Sequence, residues 1–67
     1  MAKIQLNGKK IQLKQKILLS KLLKKYKLDD KKVAIELNGV IVNKKKINSV
    51  AIKNNDKIEI VQFIGGG

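Results

Sequence analysis

The chain has 67 residues and a net charge of +11, with sixteen lysines and no arginine. It contains neither cysteine nor histidine, which excludes disulfides, thiol nucleophiles, zinc–thiolate clusters and the usual neutral-pH general base. A chain this short supports one domain with a small core, and Ser20, Ser49 and Tyr26 have no sequence partner that would activate them, so autonomous catalysis is not expected.

Residues 3–6 and 10–13, Lys-Ile-Gln-Leu in both cases, alternate polar and apolar around Asn7-Gly8. This spacing predicts a hairpin with a type I′ turn, whose two central residues need positive φ. Ile4, Leu6, Ile11 and Leu13 are its expected core face. The period then lengthens. Leu18, Leu19, Leu22, Leu23 and Tyr26 fall on one side of a helix over residues 18–28. Lys21, Lys24, Lys25 and Lys27 occupy the wet side, and no Ser, Thr, Asp or Asn immediately precedes Ile17 to cap the start.

Residues 33–37 read as a strand, and Asn38-Gly39 repeats the turn signal before Val40-Ile41-Val42. Lys44, Lys45 and Lys46 form a charged loop. Asn54-Asn55-Asp56, tolerant of left-handed backbone, leads into the last strand, residues 57–63, with Ile58, Ile60 and Gln62 on one face and Glu59, Val61 and Phe63 on the other. Two strands, one helix and three strands predict an α+β fold, a mixed sheet of four to five strands with the helix across one face. In a β-grasp sheet the first and last strands pair in parallel at the centre, which accounts for an apolar final strand.

The charge is lopsided. Residues 1–32 hold eleven lysines against Asp29 and Asp30, a net +9, while residues 33–67 carry +2. A solvated lysine surface is the plain reading and an acidic protein partner the next. Nucleic acid is disfavoured, because arginine is missing and Tyr26 and Phe63 are the sole aromatics. Met1-Ala2-Lys3 runs straight into the first strand, and no run of about 18 apolar residues follows. Neither export nor membrane insertion is indicated, and a cytoplasmic setting is expected.

Glu59-Ile-Val-Gln-Phe-Ile-Gly-Gly-Gly67 sets three glycines against a strand. Residues 1–64 are the expected β-grasp domain and residues 65–67 a flexible tail. Glycines without Cβ can enter a narrow channel, reaching roughly 10 Å at about 3.5 Å per residue. The group they would carry is the α-carboxylate of Gly67, which becomes an acyl donor once adenylated by ATP. The sequence lacks the G-x-x-x-x-G-K-[ST] phosphate loop, so ATP would be used by a partner enzyme and no cofactor would be bound here. Val61 and Phe63 are candidates for a partner-facing patch on the helix-free side of the sheet; Phe63 filling the core is the competing reading.

The C-terminal E-I-V-Q-F-I-G-G-G, the central V-A-I-E-L-N-G-V-I-V, the helix with Leu22-Leu23 and the overall length resemble the ThiS family, ubiquitin-like sulfur carriers of thiamine thiazole synthesis. The resemblance implies that an E1-like enzyme adenylates Gly67, that a persulfide donor converts it to a thiocarboxylate, and that thiazole synthase receives the sulfur. Gly66 and Gly67 match the family's terminal pair, and Gly65 matches the extra glycine of some members. A terminal Gly-Gly also occurs in molybdopterin carriers and in ubiquitin-like modifiers, which remain alternatives, with a small basic nucleic-acid-binding domain behind them. The chain departs from the family in reading Asn54-Asn55-Asp56 where Asp-Gly-Asp is common, and in lacking a Ser or Thr helix cap.

Overall fold

A computed structural model describes residues 2–62. Phe63, Ile64, Gly65, Gly66 and Gly67 lie outside the described residues, and with them the expected domain boundary at residue 64.

The chain runs through β1 (Ala2–Leu6), β2 (Lys9–Leu13), α1 (Leu19–Lys25), β3 (Val33–Leu37), β4 (Val40–Ile41) and β5 (Lys57–Gln62). The five strands form one sheet in the order β2-β1-β5-β3-β4. β5 is central, parallel to β1 and antiparallel to β3, while both hairpins are antiparallel. This is the expected β-grasp arrangement.

Both Asn-Gly turns have left-handed backbone at each central residue, Asn7 at φ 50 and Gly8 at 83, Asn38 at 52 and Gly39 at 85. They close Leu6 onto Lys9 and Leu37 onto Val40, the two-residue geometry that matches strand twist.

Leu19, Leu22 and Leu23 of α1 are buried against Ile4, Leu13, Val33, Ile35, Ile58 and Ile60 of the sheet. α1 has seven residues and is shorter than the spacing predicts at both ends. Leu18 is extended and bridges Ala51; the Leu19 N–H goes to the Val50 carbonyl at 2.8 Å and the Ile52 N–H to the Ile17 carbonyl at 2.9 Å. The strand-like crossing satisfies one of the four N–H groups that a helix start leaves without an intrahelical partner. At the far end Lys27 has φ 57, and the Leu28 and Lys27 N–H groups donate to Leu23 and Lys24 at 2.9 and 3.0 Å. That is the Schellman pattern, with lysine where glycine is usual. Leu18 and Tyr26, which the spacing groups on one side of the helix with Leu19, Leu22 and Leu23, are left exposed.

The segment after β4 also differs from a plain charged loop. Lys44–Ser49 forms a 3₁₀ helix started by Asn43, whose Oδ1 accepts the Lys45 N–H at 2.9 Å. It buries Ile47, and Ile52 follows it into the core.

Candidate functional site

β5 leads towards the C-terminal glycines that the sequence marks as the candidate site, and both of its neighbours hold it. On the β1 side, Asn7 Oδ1 accepts the Ile60 N–H at 2.7 Å, and Asn7 Nδ2 donates to the Ile60 carbonyl at 3.2 Å. On the β3 side, Asn38 Oδ1 accepts the Lys57 N–H at 2.8 Å, while the Asn38 N–H donates to the Lys57 carbonyl at 2.7 Å. Each turn asparagine therefore does a second job. It adopts the left-handed conformation and supplies an amide that continues a ladder where the strand has stopped.

Asp56, just before β5, is the one buried charged residue among those described. Its oxygens accept from Asn38 Nδ2 at 3.0 Å and the Lys53 N–H at 2.7 Å. With the Asn55 N–H donating to the Lys3 carbonyl at 2.7 Å, this fixes the point where β5 begins. Asn55 takes φ 72, so asparagine serves in this turn without a glycine.

The central strand is buried on one face only. Ile58 and Ile60 point under α1, whereas Lys57, Glu59 and Val61 point away from it. Centrality alone does not bury both faces, because one helix cannot cover two. The outward face is laid out in rows fixed by register. Lys10, Gln5 and Lys57 form one, Ile41, Glu36 and Glu59 the next, and Ala34 with Val61 the last before the strand ends. Val61 is 62% exposed and Ile41 73%, so the predicted patch residue Val61 does lie on a free face, joined by Ile41. Its predicted companion Phe63, and the tail residues Gly65, Gly66 and Gly67, lie outside the described residues.

Nothing among the described residues forms a metal-holding group of His, Cys, Asp and Glu. No helix there is long and apolar enough to cross a membrane.

With the central strand and its outward face defined, comparison with known proteins bears on the residues beyond Gln62. The ThiS family model matches residues 3–67, the glycines included. The chain belongs to the ThiS family. It is 40% identical over 65 residues to the sulfur carrier protein ThiS of Bacillus subtilis, a match covering 96% of this chain and 98% of that protein. It is equally 40% identical to part of a thiazole synthase from Paramagnetospirillum magneticum, covering 97% of this chain but 20% of that protein. The crystal structure of the thiamine biosynthesis protein ThiS from Geobacter metallireducens superposes with a TM-score of 0.83 at 26% identity, covering 97% of this chain and 99% of that one.

The sequence leads to this ThiS-family chain's strands and turns but not to the asparagine clamps, Asp56 or the exposure of Ile41. The clamps join residues 53 positions apart at Asn7 and 19 apart at Asn38, separations that no local pattern carries. Ile41 reads as a strand residue, yet its exposed face comes from a register that only pairing with β3 defines.

Proposed function

We propose that this chain is a sulfur carrier for thiazole formation in thiamine biosynthesis, with the Gly67 carboxylate as its reactive group. The observation that carries the reading is the family match, which extends from residue 3, in β1, to Gly67. The likeness of one fifth of a thiazole synthase to this chain supports thiazole synthase as a protein that the carrier meets.

β5 fixes where the chain leaves the sheet, and from Gln62 the remaining five residues can span at most about 17 Å at roughly 3.5 Å each. Residues 65–67 offer only backbone to a channel. An E1-like enzyme transfers a Gly67 carboxylate oxygen to the α-phosphorus of ATP, and pyrophosphate leaves. The terminal sulfur of a persulfide donor then attacks the acyl adenylate and AMP leaves. A second thiol cleaves the S–S bond of the resulting acyl disulfide, so that the donor side ends as a disulfide and the carrier as a thiocarboxylate for thiazole synthase. The carrier's own contribution is position, since it binds no ATP in this scheme. Val61, in the last row before the strand's end, and Ile41, two strands away in the row before it, supply apolar contact for the enzyme that receives the tail. Each of these steps takes place in the cytoplasm.

The test is intact-mass analysis after incubation with ATP, the adenylating enzyme and a sulfur donor. A mass change equal to exchanging one oxygen for sulfur, located at Gly67, is the expected outcome. An unmodified chain beside demonstrably active partners would overturn the proposal.

A further inference from the structure

The outward sheet face carries a second feature, distant from the strand's end. A groove of about 390 Å³ lies across β2, β1 and the start of β5, lined by Lys3, Gln5, Lys10, Gln12, Asn55 and Lys57. Register places Lys10, Gln5 and Lys57 side by side on three adjacent strands, with Lys3 beside Gln12 one step down. Neighbouring strands are about 4.8 Å apart, so three lysines line one patch only a few strand-widths across. The carboxylate in its lining, Asp56, is buried and accepts from the Asn38 amide and the Lys53 backbone N–H; set against Lys3, Lys10 and Lys57 it leaves the groove with an excess of positive charge.

We propose that this groove docks an acidic segment of a partner protein, in extended form, with Lys3, Lys10 and Lys57 facing its carboxylates and Gln5 and Gln12 hydrogen-bonding its backbone or side chains. The complementarity is that of unlike charge. A net +11 chain repels basic surfaces and attracts acidic ones from a distance.

Two other anions fit less well. Phosphate sites draw on converging backbone N–H groups, whereas the groove floor is strand backbone whose N–H groups lie in the sheet plane, in the β1–β2 and β1–β5 pairings. Single-stranded nucleic acid calls for aromatic platforms. Among the described residues Tyr26 is the one aromatic, and it sits at the end of α1, on the other side of the sheet.

The groove and the Gly67 chemistry are separable. Lys57 opens β5 and Gln62 closes its described part, five steps of about 3.3 Å apart, or roughly 17 Å. A partner seated along this face would grip the basic groove at one end and receive the tail at the other. A chain lacking Gly67 is expected to keep the groove's binding in full, so failure of one reading leaves the other standing.

The experiment is a titration of the isotope-labelled full chain with a synthetic Glu-rich peptide, followed by backbone amide shifts, with inorganic tripolyphosphate and a single-stranded oligonucleotide in parallel. Shifts are expected at Lys3, Gln5, Lys10, Gln12 and Lys57. The triple replacement Lys3→Gln, Lys10→Gln, Lys57→Gln should weaken peptide binding about tenfold or more. The replacement of Lys24, Lys25 and Lys27 by Gln, matched in net charge, should leave it unchanged. The single reversal Lys10→Glu, on the exposed edge strand, provides a second variant whose amide spectrum checks folding. Equal weakening by both triples, shifts centred on α1, or tighter binding of tripolyphosphate or oligonucleotide at the groove would each overturn the assignment.

Discussion

The side chain of Asn7 hydrogen-bonds both the N–H and the carbonyl of Ile60, standing where β1 would have continued along β5 had it not turned away. Parallel neighbours normally share such contacts through backbone alone, so a single carboxamide here replaces a stretch of strand. Asn7→Gly keeps the turn's positive φ and removes only the clamp. Leaving two part-buried backbone groups unpaired should lower stability by about 1–3 kcal/mol, read from the urea midpoint. Asn7→Ala should cost roughly 1 kcal/mol more, because alanine resists left-handed backbone. Equal midpoints for wild type and the glycine variant would show that the clamp contributes nothing.

Lys27 holds the left-handed position that ends α1. Glycine meets no steric penalty there. Lys27→Gly is therefore expected to stabilise the protein by about 0.5–1 kcal/mol, a rise in melting temperature of several degrees for a domain of this size. Thermal unfolding followed by circular dichroism measures it. A fall would mean that the lysine side chain makes a contact worth more than the strain.

Glu36 and Glu59 sit directly opposite each other on β3 and β5. Like charges in that arrangement oppose pairing. Replacing Glu36 by Gln should raise the stability of the isolated chain by roughly 0.2–1 kcal/mol, most clearly at low salt, with the gain shrinking as salt screens the pair. If low and high salt give the same difference, repulsion is not its source.

Val61→Ser tests the apolar contact near the strand's end. The side chain is largely exposed, so folding stability should change by under about 1 kcal/mol. Adenylation at subsaturating carrier should fall about tenfold if Val61 is a contact residue, since central apolar contacts commonly contribute more than about 1 kcal/mol to binding. Full adenylation with an unchanged melting curve would remove Val61 from the interface.

Deleting Gly67, or extending the chain beyond it, should abolish thiocarboxylate formation while leaving the melting temperature within a degree or so of the parent, because the core contains no residue beyond Ile60 among those described. Intact mass and calorimetry on the same samples separate the two effects. Retained sulfur transfer by an untrimmed, extended chain would sink the carrier reading.

Much of the fold can be read in order along the chain because its signals are local. Asn7-Gly8 and Asn38-Gly39 announce their turns within two residues, and the Leu19, Leu22 and Leu23 spacing announces the helix. The helix start differs from its expected position for a non-local reason: Leu18 is drawn into a bridge with Ala51, 33 residues away, which periodicity cannot register. Ile47 and Ile52 are silent as core residues because a 3₁₀ segment beside three lysines has no amphipathic period long enough to detect. At the candidate site, Gly67 stands out through composition and resemblance, while the basic groove emerges only when register brings Lys3, Lys10 and Lys57 onto neighbouring strands.

The central placement of β5 also has a mechanical side. A partner that draws the chain beyond Gln62 into a channel pulls on a strand flanked by β1 on one side and β3 on the other, with Asn7 and Asn38 as additional fasteners. Tension along β5 loads these ladders in shear, many bonds at once, and does not peel them open one by one as it would at an edge. Such an anchorage lets the tail be gripped, turned over and released repeatedly while the sheet that carries it stays folded.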